Sequence, residues 1–214
     1  MKILKYTVTF MLGIALTIIL LFLEVPFWLI YVSMLFVSLV LFVAPHMYTL
    51  YKSNNLKKIE RYLEQNKHKP IPAYALAVKS GDHDKIIESV QRILTKHKQA
   101  SIQEVYKTNL ALYERNVSKL EQHAKQISKL PLRTYYIAYA EALKGNFEEA
   151  RTLTGYLTVD WMHHAIEAII AQTKGDMHTY RKEADASIEH SRGIQKFMNV
   201  YAFKNMENNY TKKS

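Results

Sequence analysis

The sequence predicts an all-α protein: an N-terminal two-helix transmembrane hairpin, then an α-solenoid of about four helical hairpins with a C-terminal capping helix. Three observations support this prediction. Only 6 of the 214 residues are Gly and 5 are Pro, which leaves few residues for tight β-turns or glycine-rich phosphate loops. Apolar residues recur with helical rather than alternating spacing. Charged residues are scarce in the first quarter of the chain and dense in the rest.

The uneven charge divides the chain into two composition classes. The sequence has 29 Lys and Arg, 19 Asp and Glu and no Cys. Residues 1–51 contain only three of these charged residues, Lys2, Lys5 and Glu24. This composition excludes an intrinsically disordered chain, a disulfide-rich mini-protein and a wholly membrane-embedded transporter.

Residues 1–48 are predicted to form a transmembrane helical hairpin. Two uncharged stretches, with spans at about 6–23 and 27–44, are close to the roughly 20 residues that a helix needs to cross a bilayer. Only residues 24–26 separate them, so the connection is a short turn and the helices run antiparallel. A signal peptide followed by a buried core helix is the alternative, but no small-residue cleavage site follows Leu23.

The charges that flank the spans predict that both termini face the cytoplasm, because cytoplasmic ends collect Lys and Arg. Lys2 and Lys5 precede the first span and a basic group follows the second, whereas the turn contains only Glu24. Neither Glu24 nor His46 lies at mid-bilayer, so the spans offer no proton relay. Enrichment in Lys, Ile, Asn and Tyr is typical of an AT-rich bacterial genome, and we therefore expect a two-span protein of a bacterial plasma membrane.

A basic juxtamembrane helix is predicted over residues 49–69. Its first basic side chains are Lys52, Lys57, Lys58 and Arg61. Each basic group beside an anionic membrane is worth about 1 kcal/mol, so these four are candidate contacts for anionic lipid. The alternative is that they only set the topology of the spans.

An approximate repeat follows in the charged part of the chain. A Gly followed by Asp or Asn occurs at Gly81, Gly145 and Gly175, and Arg115 with Asn116 occupies the equivalent slot between the first two. The four slots are spaced by 34, 30 and 30 residues. Because Gly permits the left-handed turn that ends a helix and Asp or Asn caps the next helix, each slot predicts the turn of a helical hairpin.

Caps and helix breakers predict where the helices lie. A helix over 49–66 leaves the membrane, hairpins follow at about 72–97, 101–129, 132–155 and 159–190, and a terminal helix runs from Arg192 to about Asn209. The repeat domain thus covers 70–209 and is followed by a tail at 210–214. The terminal helix is predicted to cap the open end of the array, as solenoids require.

The segment ALKGNFEEA, Ala142 to Ala150, resembles the central turn of the tetratricopeptide repeat, and the spacing of 30 to 34 residues fits its 34-residue unit. The resemblance covers about residues 70–190. It implies a groove, lined by the first helix of each hairpin, that binds a protein or peptide partner. An irregular helical bundle is the alternative.

The resemblance also nominates partner-binding residues at the groove-facing positions: Asn109, Asn116, Lys119, Tyr139, Asn146 and Gln172. Asn116 and Asn146 have a second interpretation as helix caps. The predicted function is a membrane-tethered cytoplasmic scaffold or adaptor that captures a protein or peptide, without enzymatic activity or a cofactor. Tethering raises the effective concentration of the module at the membrane.

An enzyme is the first alternative function. The sequence has no Cys and none of the glycine-rich, serine-elbow or zinc-helix motifs of common enzymes. Its densest titratable cluster is Asp160, His163, His164 and Glu167, which a helix would place one turn apart and which could bind a divalent metal. No second cluster supplies further ligands, so we predict neither a catalytic nor a metal site.

Two other hypotheses concern partners. Basic residues spread over several helices and form no nucleic-acid motif, so no nucleic acid is expected as a partner. The third hypothesis is a purely structural membrane protein that self-associates through its spans and would be a homo-oligomer. The sequence leaves this function open.

Overall fold

The computed structural model describes residues 11, 13–15, 17–20 and 22–211. It divides into two compact units, Met1–Tyr48 and Thr49–Ser214. All regular secondary structure in the described residues is helical and none of them lies in a strand. The predicted all-α class is therefore confirmed for this part of the chain.

Among the described residues, one helix is long and apolar enough to cross a membrane. Helix α1 (Phe27–Phe42) continues into α2 (Ala44–Tyr51), so that Phe27–Tyr51 forms a 25-residue apolar helix. Pro45 has no backbone N–H to donate, which explains the break after Phe42. The predicted span at 27–44 falls within this helix.

The other predicted span, at 6–23, lies partly outside the described residues. Those that are described between residues 11 and 22 are helical. Glu24 then adopts a left-handed conformation, with φ 54°, and Pro26 precedes α1. The Thr17 hydroxyl lies 2.9 Å from the Met34 sulfur, so the two helical stretches touch.

Short helices make up the C-terminal unit, most of them in hairpins. After α3 (Leu56–Gln65) come α4 (Pro70–Ser80) with α5 (His83–Lys96), α6 (Ala100–Tyr113) with α7 (Val117–Lys125), α8 (Leu130–Lys144) with α9 (Phe147–Thr154), and α10 (Asp160–Lys174) with α11 (Met177–His190); α12 (Gly193–Thr211) follows. The two helices of each hairpin pack together, and each hairpin contacts the next.

The predicted continuous helix over 49–66 is wrong in one respect. The chain leaves helical geometry after Tyr51 and begins α3 at Leu56. The Asn55 side chain accepts a hydrogen bond from the Lys58 backbone N–H at 3.0 Å, and this cap starts a new helix. The basic segment is therefore a short linker followed by a separate helix, in which Ile59 and Leu63 are fully buried.

The turn slots share one backbone conformation. Gly81, Gly145 and Gly175 have φ of 69°, 87° and 81°, and Arg115 has φ 56°. After three of these slots an Asp or Asn side chain accepts a backbone N–H of the following helix, namely Asp82, Asn116 and Asp176. The hairpin turns thus lie where the sequence predicts them, each at a left-handed residue that is followed by Asp or Asn.

Helix α12 contacts both ends of the array of hairpins, rather than the last hairpin alone. It packs against α3 and α4 at the start and against α11 at the end. Phe197 is fully buried beside Ile59 and Leu63, whereas the Phe203 carbonyl accepts a hydrogen bond from the Tyr180 hydroxyl at 2.7 Å. The predicted end cap is instead a helix that bridges the array, because apolar side chains lie on more than one of its faces.

Candidate binding cavity

A cavity of about 1130 Å³ lies between α12 and the first helices of the hairpins. Helices α4, α6, α8 and α10 supply one wall, and α12 supplies the other. The aromatic lining consists chiefly of Tyr74, Tyr106, Tyr113, Tyr135, Tyr136, Tyr139 and Trp161. This volume is slightly above the range of about 300–1,000 Å³ that is typical of ligand sites.

Helical spacing explains why the tyrosines meet in one wall. Tyr106 and Tyr113 are two turns apart on α6, and Tyr135 and Tyr139 are one turn apart on α8, so each pair projects from one face of its helix. Between them on α8, Ala138 is fully buried. Ala140 and Ala142 are fully buried as well, and these small residues let neighbouring helices approach closely.

The rings of this wall pack edge to face. The ring centroids of Tyr74 and Tyr106 are 5.5 Å apart, with an interplanar angle of 81°. Those of Tyr135 and Trp161 are 5.4 Å apart, at 62°, which joins α8 to α10. Such arrangements are favourable for aromatic quadrupoles, so the wall is held in place before any ligand binds.

Some hydroxyl groups in the wall have spare hydrogen-bonding capacity. The Tyr136 hydroxyl donates to Asn109 Oδ1 at 2.7 Å. In the described part of the chain, the hydroxyls of Tyr106, Tyr135 and Tyr139 form no hydrogen bond. Burial raises the pKa of Tyr139 well above its ordinary value and that of Tyr106 to about 12. These groups therefore stay protonated and can donate at neutral pH.

The cavity is almost without charge. Among the described residues that line it, the only side chains able to carry a charge near neutral pH are His83, Glu114 and Arg115. Glu114 and Arg115 are exposed and lie at the turn between α6 and α7. No protein-family model, curated protein or solved structure significantly matches this chain, so we infer the chemistry of the site from its own residues.

Three of the residues nominated from the sequence meet in this cavity. Asn109, Tyr139 and Gln172 lie on α6, α8 and α10 and all line it. Gln172 Nε2 lies 3.5 Å from the Met206 carbonyl oxygen, at the edge of hydrogen-bonding distance, and so connects α10 with α12.

The other three nominated residues lie at hairpin turns. Asn116 Oδ1 accepts the Lys119 backbone N–H at 3.0 Å, which is the capping role that the sequence leaves open, and the Lys119 side chain is exposed. Asn146 stands at the cap position of α9, but its side chain makes no capping bond. It donates instead to Glu141 Oε2 at 2.7 Å.

All four nominated basic residues of the juxtamembrane segment are exposed: Lys52, Lys57, Lys58 and Arg61. The last three belong to α3, whose opposite side buries Ile59 and Leu63. Their charged ends are therefore accessible to solvent or to a charged surface.

The titratable cluster on α10 is divided between partners on two other helices, although the centroid of the His164 ring lies 5.3 Å from that of His190. Asp160 pairs with His190 at 3.3 Å and His164 with Glu183 at 2.8 Å, both across to α11. Glu167 pairs with Arg151 of α9 at 3.3 Å, outside this pair of helices. Within residues 11, 13–15, 17–20 and 22–211, no group of three or more His, Asp or Glu side chains is placed to hold a metal ion.

Most residues of the cavity wall are not among those nominated from the sequence. Tyr74, Tyr106, Tyr113 and Trp161 were not nominated, and neither was any residue of α12. The recurrence of Tyr at helical spacing is the signal that was present, but the same spacing is typical of ordinary core packing.

Proposed function

We propose that this chain is a membrane-tethered, non-enzymatic interaction module. Two spans anchor a tetratricopeptide-like array of hairpins at the cytoplasmic face of a bacterial plasma membrane, and the cavity of the array binds an extended peptide segment of a protein partner. The observation that carries this proposal is a large cavity bounded by the first helices of successive hairpins, with Asn109, Tyr139 and Gln172 in its wall.

The distribution of apolar surface supports the membrane anchor. Twenty large hydrophobic side chains between Met11 and Tyr51 are exposed, whereas Leu130 and Tyr156 are the only others in the described residues. So large an apolar surface is costly in water and suits the interior of a bilayer. The basic flanks favour an orientation with both termini in the cytoplasm.

Carboxamide groups in the wall support a peptide as the ligand. A peptide unit offers one donor and one acceptor, and a carboxamide can satisfy both. The Asn109 Oδ1 atom is occupied by Tyr136, which leaves its N–H groups to donate to a peptide carbonyl. Within the part of the chain that the structure describes, the Gln172 side chain makes one long contact, through Nε2, so its carbonyl oxygen can accept a peptide N–H.

The alternatives have less support. The side chains that an enzyme would use are engaged in ion pairs, Asp160 with His190, His164 with Glu183 and Glu167 with Arg151. Self-association through the spans stays a prediction, which the mass of the detergent-solubilised protein would test.

Site-specific photo-crosslinking in the native membrane tests the proposal. A benzoylphenylalanine at Gln172 lies in the cavity wall, and the same residue at Glu148, whose side chain is 92% exposed on α9, is the matched control. We expect a discrete crosslinked protein from position 172 that is absent from position 148. The proposal fails if position 172 captures no protein, or only the proteins that position 148 captures, while the folded chain is present in the membrane.

A further inference from the structure

We infer that the cavity selects an uncharged peptide segment that carries an aromatic side chain, and that it excludes charged side chains. This inference rests on the proposed function, because it names the chemistry of the partner at that same cavity.

The lining of the cavity carries little charge. Apart from His83, Glu114 and Arg115, which are exposed, the described lining residues are apolar, aromatic, amide or hydroxyl. A charged side chain placed there would lose its hydration without gaining a counter-charge, which is strongly unfavourable. A neutral segment avoids this cost.

The aromatic wall can accept a further ring. Tyr135 and Trp161 present ring edges and faces in a fixed edge-to-face arrangement, and a further ring can add to such a cluster with the same geometry. Tyr139 is only 5% exposed, and its hydroxyl is without a hydrogen bond in the described residues. It is therefore a donor that a peptide carbonyl in the cavity can satisfy.

Helix α12 is fastened along its length, so the width of the cavity is fixed. The Gly193 N–H donates to the Ser53 carbonyl at 2.8 Å, and Asn205 Nδ2 donates to the Val78 carbonyl at 2.7 Å. Further along, Arg181 pairs with Glu207 at 2.7 Å. With this wall held in place, a segment that binds has to fit the cavity as it stands, without displacement of α12.

Tryptophan fluorescence of the full chain tests the inference. The sequence has 2 Trp, so Trp28→Phe leaves Trp161 in the cavity wall as the single reporter. Three probes are titrated: N-acetylphenylalaninamide, its free acid N-acetylphenylalanine, which adds only a negative charge, and N-acetylalaninamide, which lacks the ring. We expect a saturable change in Trp161 emission with the first probe and affinity at least about tenfold weaker for the other two.

Removal of one hydroxyl provides a second measurement. Tyr139→Phe should weaken binding of N-acetylphenylalaninamide by about three- to tenfold, the effect of one hydrogen bond. The same change at Tyr156, which is 74% exposed and does not line the cavity, should leave the affinity unchanged. Circular dichroism of each variant checks that the helices are retained.

The outcomes separate this inference from the proposed function. Equal binding of the acid and the amide, or no saturable change in Trp161 emission, overturns the inference, even if crosslinking at Gln172 captures a protein. Selective binding of the neutral aromatic probe, reduced by Tyr139→Phe, supports the cavity chemistry even if crosslinking captures none.

Discussion

Two glycines in the left-handed conformation have very different surroundings. At Gly193, with φ 57°, a Cβ atom would lie 1.9 Å from the Leu50 carbonyl oxygen and 2.7 Å from the Tyr51 nitrogen. At Gly145, with φ 87°, the same atom would meet nothing within 4 Å. Gly193 therefore lets the start of α12 lie against the backbone of the juxtamembrane segment, whereas Gly145 serves only the turn.

Alanine substitutions should separate these two roles. Gly145→Ala carries only the conformational cost of a left-handed side chain, about 1–2 kcal/mol. Gly193→Ala adds a backbone clash that no rotamer relieves, so we expect it to lower the free energy of unfolding by more than about 3 kcal/mol. Denaturant unfolding of the full chain in detergent, followed by circular dichroism, measures both. Equal costs at the two positions would show that α12 is not fixed against Leu50.

Single residues also show what sequence reasoning could reach. The left-handed turn at Arg115 follows from its place in the repeat, although Arg is an unfavourable residue there. The partners of Asp160 and Glu167 could not be predicted, because His190 and Arg151 reach them from other helices. Local backbone rules depend on neighbours in sequence, whereas side-chain pairing depends on which helices pack together.

At the scale of helices, a group of four charged residues joins α7 to α8: Glu121, Lys125, Glu141 and Lys144. Glu121 contacts Lys125 at 2.6 Å on its own helix and Lys144 at 2.5 Å on α8. Hydrogen bonds from these two lysines lower the pKa of the Glu121 carboxyl from 4.5 to about 2. The charged form is thus favoured in the folded protein, and the group stabilises the packing of the two helices.

This group should make part of the stability depend on pH. Because the folded pKa of Glu121 is depressed, its contribution is fully present above about pH 4.5 and is lost as the pH falls towards about 2. Glu121→Gln should lower the free energy of unfolding by about 1 kcal/mol at pH 7, a modest value because the group is partly exposed to solvent. Near pH 2 the same substitution should have almost no effect on the free energy of unfolding. Glu148→Gln, with a side chain 92% exposed and 3.7 Å from Arg151, should show no such dependence. A difference for Glu121→Gln that stays constant from pH 7 to 2 would contradict this account.

The position of α12 was the least predictable feature among the helices. Its hydrophobic side chains point in several directions: Phe197 towards α3, Phe203 towards α11 and Met206 towards the cavity. Without one polar face, the sequence pattern indicates a helix but not which helices it touches. The prediction of an end cap followed from the general need of solenoids, and the cavity beneath α12 could not follow from it.

For the whole chain, the charge boundary near residue 51 coincides with a change in surface. Up to Tyr51 the exposed side chains are mainly large and hydrophobic, and beyond it most buried hydrophobic residues form the core of the C-terminal unit. An apolar surface and a water-exposed charged surface in one chain are compatible if the first lies in a bilayer. The proposed orientation then depends on the flanking charges alone.

Cysteine labelling tests this orientation directly, because the chain has no Cys of its own. Glu24→Cys places a thiol in the exposed turn between the predicted spans, and Tyr156→Cys places one on the exposed surface of the C-terminal unit. In intact bacterial cells, a membrane-impermeant maleimide should label only Glu24→Cys, and after permeabilisation it should label both. Labelling of Tyr156→Cys in intact cells would place the C-terminal unit outside and reverse the proposed topology. Labelling of neither variant in intact cells would mean that residue 24 does not reach the outer face, and that the first stretch does not span the membrane.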